Sequence, residues 1–180
     1  MRGAMIAVFF RRRANIVEAD PYSIRFAERG DAKTIHAMIT ALAVATDDKH
    51  RVKSTPRDFA AHGFGADALF EALIAERGGG PVGLCVFFFS FSTWLGEPGI
   101  YIQDLYVRDE ERGRGLGLRL LSAAAAHGLG RRASHLRLSV HSQNSAARSF
   151  YDRIGMDHRD EEETYHLGGD AFLALADGAE

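Results

Sequence analysis

The segment Arg112-Gly113-Arg114-Gly115-Leu116-Gly117 lies between a predicted strand and a predicted helix, and it is the most informative part of the sequence. Its glycines allow the backbone to adopt positive φ angles and to approach a ligand closely. The free N–H groups in the first turn of the helix carry about half a positive charge, to which Arg112 and Arg114 add their guanidinium groups. These features together predict a binding site for a diphosphate.

Two other kinds of glycine-rich loop are excluded by the residues that follow Gly117. A nucleotide P-loop requires lysine and then serine or threonine after its last glycine, whereas Leu118 and Arg119 follow here. A dinucleotide-binding loop requires its third glycine at position 118, which is leucine. A tight strand-to-helix turn that binds no ligand is the structural alternative.

Hydrophobic periodicity predicts the elements on both sides of this loop. The elements expected before it are a strand at 22–27, a helix at 32–45 capped by Asp31, a helix begun by Thr55 and Pro56 and ended by Gly63, and strands at 69–76, 82–91 and 100–107. Those expected after it are a helix from Leu116 to Gly128 or Gly130, a strand at 135–140, a helix at 144–153 and a last strand at 163–167. Strands joined by short turns are antiparallel, whereas a strand–helix–strand crossover is parallel. The expected fold is α/β (α+β), with a central mixed, mostly antiparallel sheet and helices on both faces.

The start of the chain is expected to lie outside this fold, as an N-terminal extension at residues 1–20 before a single domain at residues 21–180. The apolar stretch 4–10 is too short to span a bilayer, and the three arginines that follow it reverse the order of a signal peptide. A membrane-surface anchor is the alternative for this stretch.

Composition excludes several classes of function. The formal net charge of −2 gives no general attraction to nucleic acid or to an anionic membrane. Cys85 is the single cysteine, which excludes an intrachain disulfide and a multi-cysteine zinc site, and a cytoplasmic location is expected. Cys85 lies in an apolar run and is expected to be buried and inert. The histidines show no metal-ligand spacing, so no metal is expected.

Two motifs resemble the GNAT acetyltransferase superfamily. The spacing Arg-x-x-Gly-x-Gly at 112–117 is similar to the coenzyme A pyrophosphate loop of that superfamily. The second motif also matches, because Asn144 is followed seven residues later by Tyr151, and then by Gly155. Residues 87–107 further resemble the spermidine/spermine and diamine acetyltransferase branch.

The resemblance implies an N-acetyltransferase that moves an acetyl group from acetyl-CoA to a primary amine of a small molecule, such as a polyamine, a diamine or a lysine-like amine. It implies main-chain contacts to acetyl-CoA from β-strand residues, phosphate contacts from the loop and contacts from a later helix. These residues are Leu105, Tyr106, Val107, Arg112, Gly113, Arg114, Gly115, Leu116, Gly117, Asn144 and Tyr151. The implied catalytic residues are Tyr151, as general acid, with Asn144 and Gln103, and the implied substrate contacts are Trp94, Gln103 and Asp104. The branch also suggests a homodimer, for which Phe172, Leu173 and Leu175 form a candidate patch.

Gln103 departs from the branch, which carries Glu-Asp where this chain has Gln103-Asp104. A primary amine with a pKa of about 10.4 is less than about one-thousandth neutral at pH 7, so removing its proton is part of the reaction. Gln103 can hold a water molecule but cannot accept the proton. Without another base, the rate follows the ionisation of the amine above pH 7. The other groups that remain for this task are Asp104 and His141, and the acids that remain to recognise the amine are Asp104, Asp47 and Asp48.

Two further functions stay open at this point. The same fold can acetylate the α-amine or a lysine of a protein, and a coenzyme A-binding regulatory module without turnover is a different class altogether. The loss of a carboxylate at Gln103 favours the regulatory module, whereas Asn144 and Tyr151 favour an enzyme.

Overall fold

The computed structural model describes residues 20–178, so the extension expected at residues 1–20 falls, apart from Asp20, outside the described residues. The described strands are β1 (Tyr22–Phe26), β2 (Glu71–Arg77), β3 (Gly80–Ser92), β4 (Glu97–Val107) and β5 (His135–Leu138). The described helices are α1 (Ala32–Ala45), α2 (Pro56–His62), α3 (Leu116–Gly130), α4 (Ser145–Arg153) and α5 (Asp170–Ala176). The chain divides into a first unit that ends at Ser139 and a second unit that begins at Val140.

The first unit is built on one five-stranded sheet with the strand order β1-β2-β3-β4-β5. Neighbouring strands are antiparallel from β1 to β4, and β5 pairs with β4 in parallel. Short turns join β2 to β3 and β3 to β4, whereas α3 makes the crossover to β5 that a parallel connection requires. The mixed, mostly antiparallel sheet expected from the sequence is confirmed.

Helix α1 covers one face of this sheet. Ile35 and Met38 of α1 form a buried cluster with strand residues that include Ile74 of β2 and Leu84 of β3. Ile74 and Leu84 are paired across the two strands, so their side chains point to the same face. Ile35, Ile74 and Leu84 are fully buried, and truncating any one of them to alanine would cost about 2–5 kcal/mol.

Helix α3 covers the opposite face. Successive residues of a strand point to opposite faces, so Gly83 faces away from the α1 cluster that contains Leu84. A Cβ atom placed on Gly83 would lie 3.1 Å from Leu120 of α3. The helix also approaches β4 so closely that a Cβ atom on Gly128 would overlap Ile100, which explains why the last turn of α3 uses glycine. Helices on both faces are therefore confirmed.

The two expected helix caps have different outcomes. The main-chain N–H of Thr55 donates to the Asp58 carboxylate at 2.7 Å, which fixes the first turn of α2 as expected. Asp31 precedes α1 as expected, but its side chain does not cap that helix, so this part of the prediction is wrong. Its carboxylate instead accepts hydrogen bonds from Arg25 at 2.7 Å and from the N–H of Glu28 at 2.8 Å. The bond to the guanidinium group joins two ionised groups, and it holds the carboxylate away from the first turn of α1.

The second unit contains α4 and α5, and no strand is described between them, so the strand expected at 163–167 is wrong. A strand needs a neighbouring strand to satisfy its backbone groups, and the described part of this unit provides none. Tyr165 is accordingly 88 % exposed. The sequence also gave no indication of α5, on which Phe172, Leu173 and Leu175 are all more than half exposed.

Candidate active site

The parallel pair of strands separates partway along β4. Pairing between β4 and β5 runs from Gly99 with His135 to Ile102 with Leu138, and β5 ends there. β4 continues for another five residues to Val107, still paired with β3 on its other side. In the described part of the first unit, the β5 side of residues 103–107 therefore has no strand partner. The main-chain N–H and C=O groups that point toward this open side belong to alternate residues of β4, and they have no strand partner there. Contacts of Leu105, Tyr106 and Val107 with acetyl-CoA stay a prediction.

A β-bulge lies where the two strands separate. On β3, Phe87 is opposite Ile102 and Val86 is opposite Asp104, so Gln103 is an extra residue on β4. A bulge bends the strand locally and redirects its side chains, and bulges are common beside active sites. Gln103 is exposed at this position. Nothing in the alternation of residues 100–107 signals the bulge, so the sequence analysis missed it.

Asp104, the residue after the bulge, faces the α1 side of the sheet. Its cross-strand neighbour Val86 belongs to the α1 cluster, and cross-strand neighbours share a face. Burial raises the pKa of the Asp104 carboxyl to about 6. Within residues 20–178, no cation offsets this cost and no residue donates a hydrogen bond to the carboxylate. An aspartate held in this way can accept a proton near neutral pH.

The glycine-rich loop has the backbone that its sequence predicts. Gly113 and Gly115 adopt φ angles of +75° and +78°, in the left-handed region that favours glycine. Gly115 is the N-cap of α3, and its carbonyl accepts the first helical hydrogen bond from Arg119 at 3.1 Å. The N–H groups of the first turn, beginning at Leu116 and Gly117, thus have no partner within the helix. These N–H groups begin a helix of 15 residues.

The two arginines of this loop are held by neighbouring groups. Arg112 donates from Nε to the main-chain carbonyl of Val107 at 3.1 Å, and its Nη2 lies 2.8 Å from Asp109. Arg112 therefore connects the loop directly to the end of β4. Arg114 lies farther from its partner, with Nε 3.9 Å from the Glu111 carboxylate.

Glu111, a buried residue, directly precedes the glycine-rich loop. It is only 8 % exposed and accepts hydrogen bonds from the Tyr22 hydroxyl at 2.5 Å and from Arg77 at 2.9 Å. These two donors hold the pKa of the Glu111 carboxyl below its usual range. Glu111 was not among the predicted site residues, because an acidic residue in the run 109–111 is typical of a solvated turn.

A groove of about 620 Å³ opens on the α1 side of the sheet. One wall consists of small and apolar residues of α1, namely Ala37, Thr40, Ala41, Val44 and Ala45. The remaining lining residues are Tyr106 and Arg108 at the end of β4, Asp109 and Glu110 after it, and Lys49 after α1. Tyr106 shares the sheet face of Asp104, because it lies two residues farther along the strand.

Trp94 lies far along the sheet from Gln103 and Asp104, the other candidate substrate contacts. It is 98 % exposed in the turn between β3 and β4. Asp104 lies toward the far end of β4, about 23 Å of strand beyond Glu97. Substrate contact by Trp94 stays a prediction.

The second unit holds the other two predicted catalytic residues. Asn144 caps α4, where its side-chain oxygen accepts a hydrogen bond from the N–H of Ala147 at 3.0 Å. Tyr151 lies within α4, and its ring centre is 5.2 Å from that of Phe150. His141 lies just before the helix and accepts a hydrogen bond from the N–H of Gln143 at 3.3 Å.

Residues 20–178 also contain one free thiol, that of Cys85. Burial raises the pKa of the Cys85 thiol to about 12, so the expectation of an inert thiol holds. No three His, Cys, Asp or Glu side chains in these residues are arranged to hold a metal ion. None of the described helices combines the length and apolar character needed to cross a bilayer.

Comparison with known proteins connects this geometry to a family. Residues 35–156 match the acetyltransferase (GNAT) family. The chain is 35 % identical to thialysine N-epsilon-acetyltransferase of Bos taurus, over 85 % of this chain and 96 % of that protein. It is 29 % identical to a human spermidine/spermine N(1)-acetyltransferase-like protein, over 82 % of this chain and 22 % of that protein. An integron cassette protein of V. cholerae shares the fold with a TM-score of 0.73 at 20 % identity, over 88 % of this chain and 99 % of that one. The chain therefore belongs to the GNAT family of acetyltransferases and is an N-acetyltransferase, as the motifs at 112–117 and 144–155 predicted.

Proposed function

We propose that this enzyme transfers the acetyl group of acetyl-CoA to the side-chain amine of a small, lysine-like molecule. The observation that carries the proposal is the separation of β4 from β5 directly ahead of a loop with two positive-φ glycines. The relatives named for thialysine and for spermidine/spermine support a small amine as acceptor. The family match crosses the end of the first unit, which supports residues 21–180 acting as one domain.

The loop and β4 would hold acetyl-CoA as a substrate. The N–H groups at Gly115, Leu116 and Gly117 face a diphosphate, and Arg112 and Arg114 supply positive charge beside it. The free edge of β4 at Leu105 and Val107 offers main-chain hydrogen bonds to the pantetheine arm. The N–H groups of the same edge stabilise the oxyanion that forms when the amine attacks the thioester carbonyl.

Proton transfer is assigned to Asp104 and Tyr151. Asp104 accepts a proton from the substrate's ammonium group, directly or through a water held by Gln103, and the neutral amine then bonds to the acetyl carbon. The C–S bond breaks, and the leaving thiolate takes a proton from Tyr151, as the family resemblance implies. The nitrogen gives up its second proton to the Tyr151 oxygen, which restores the phenol. Asn144 supports this step by capping the helix that carries Tyr151.

A thiol-release assay over a panel of amines tests the proposal. We expect release of coenzyme A from acetyl-CoA that depends on a primary-amine acceptor and saturates with it. Thiol release that no small amine accelerates, combined with tight binding of acetyl-CoA, would instead support a regulatory module. Acceleration by peptides alone would support protein acetylation. We further propose a homodimer, which the branch resemblance supports and light scattering would test, and a cytoplasmic location, which the single cysteine supports.

The pH profile separates Asp104 from an uncatalysed ionisation of the amine. With Asp104 as base, kcat/KM should rise through pH 6 and level off above about pH 7. Asp104→Asn should lose this plateau, so that its rate climbs with pH toward the pKa of the amine, about 10.4. At pH 7 the variant should be slower by about 10²–10⁴-fold. Gln103→Ala is the matched control beside it and should retain the plateau.

The dependence of the melting temperature on pH provides an independent test of the raised pKa of Asp104. The pKa of Asp104 is raised on folding from 3.8 to about 6, so folding favours its protonated form. Its contribution to stability is fully present below pH 3.8 and is lost as the pH rises through 6. Asp104→Asn should therefore melt at a higher temperature than the parent at pH 8, but not at pH 3.5. An unchanged pH profile in a folded Asp104→Asn variant would assign the proton to another base.

A further inference from the structure

The groove on the α1 side carries charges whose arrangement bears on the choice of acceptor. Lys49 and Arg108 are its cations, and Asp109 and Glu110 its anions. Asp109 is engaged by Arg112 at 2.8 Å. Within residues 20–178, neither Lys49, Arg108 nor Glu110 forms an ion pair. Two cations and one anion in the groove are thus left to interact with a ligand.

A carboxylate, that of Asp104, lies farther back along β4. Asp104 faces the α1 side four residues before Arg108, about 13 Å of extended chain. Tyr106 lies between them on that face and forms part of the groove wall. A ligand along this face would meet a carboxylate at one end and two cations at the other.

This order of charges distinguishes between kinds of amine. A diamine or polyamine carries ammonium groups at both ends, so its far end would be repelled by Lys49 and Arg108. An amino acid with a side-chain amine carries an ammonium group at one end and a carboxylate at the other. Its carboxylate matches the two cations, and its α-ammonium group matches Glu110.

We propose that the groove is the recognition site for the α-carboxylate of an amino-acid acceptor, with Lys49 and Arg108 as its specificity-determining cations. This inference rests on the proposed function and deepens it, because it assigns the residues that recognise the carboxylate of the lysine-like acceptor. The small side chains of α1, such as Ala37 and Ala41, leave the space that the acceptor occupies. Arg108 can hold a carboxylate through two parallel hydrogen bonds, whereas Lys49 acts as a point charge.

Acceptors that differ only in the carboxylate provide the test. Lysine should be acetylated with kcat/KM at least tenfold higher than its decarboxylated counterpart, 1,5-diaminopentane, and ornithine likewise relative to 1,4-diaminobutane. Lys49→Met and Arg108→Gln should each raise KM for lysine about five- to tenfold with kcat nearly unchanged, because they remove binding rather than catalysis. Neither substitution should raise KM for the diamines. Lys49→Arg should retain most of the preference.

Lys53→Met is the matched control, because Lys53 is an exposed cation of the same connection that does not line the groove. It should leave all kinetic constants unchanged. Equal use of lysine and 1,5-diaminopentane, or an unchanged KM for lysine in Lys49→Met and Arg108→Gln, would overturn this inference and leave the proposed acetyl transfer intact. Failure to acetylate any amine would overturn the proposed function, and this inference with it.

Discussion

Tyr151→Phe is expected to lower kcat by about 10²–10⁴-fold with little change in the KM for acetyl-CoA. The substitution keeps the ring that packs beside Phe150 and removes the proton donor. Transfer from a phenol of pKa about 10 to a thiolate of pKa about 8.5 is uphill by about 2 kcal/mol. Tyr151 therefore contributes by supplying the proton while the C–S bond breaks, before the thiolate can return to the carbonyl.

Steady-state and single-turnover kinetics would measure this effect. Tyr165→Phe is the control for loss of a tyrosine hydroxyl in the second unit, because Tyr165 is 88 % exposed. It should behave as the parent. A Tyr151→Phe variant with the turnover of the parent would mean that solvent or another group protonates the thiolate.

Gly115→Val is expected to weaken acetyl-CoA binding at least tenfold, a loss of about 1.4 kcal/mol. Gly115 has a φ of +78°, so valine must either remain strained or shift the N–H groups that begin α3. Among residues 20–178, no neighbouring atom lies within 4 Å of a Cβ at this position, so the side chain itself meets no clash and the strain lies in the backbone. Both effects act on the diphosphate site.

Titration calorimetry with Gly96→Val as control would separate binding from backbone strain. Gly96 has a similar φ of +69° and open surroundings, but it lies in the turn at the other end of β4. It should lose a similar amount of stability and bind acetyl-CoA as the parent does. Equal affinities of the parent and a folded Gly115→Val variant would remove the diphosphate from this loop.

The elements with a strong local signal could be predicted from the sequence. Helical spacing of apolar residues gave the bounds of α1, and the change of period after the glycine-rich loop gave α3 and the parallel crossover. Gly113 and Gly115 were expected to require positive φ, and both adopt it. Such features depend on residues that are near one another in the chain.

The features that could not be predicted depend on distant partners. The bulge at Gln103 exists only in the register between β4 and β3, which no residue of β4 specifies alone. Glu111 is buried beside Tyr22, which lies 89 residues earlier in the chain and donates a hydrogen bond to it. The strand wrongly expected at 163–167 has the same origin. Alternation of polar and apolar residues predicts a strand wherever it occurs, but a strand forms only where a neighbouring strand can pair with it. The groove could not be predicted either, because it depends on how α1 and the end of β4 lie relative to each other.

Mass spectrometry of the products made with acetyl-CoA that carries a deuterated acetyl group tests acetyl transfer most directly. Incubated with lysine, the protein should place the deuterated acetyl group on the side-chain nitrogen, in equal amount to the coenzyme A released. The label should not remain on the protein. Deuterated acetate with unmodified lysine, or label found only on protein amines, would contradict acetyl transfer to a small amine.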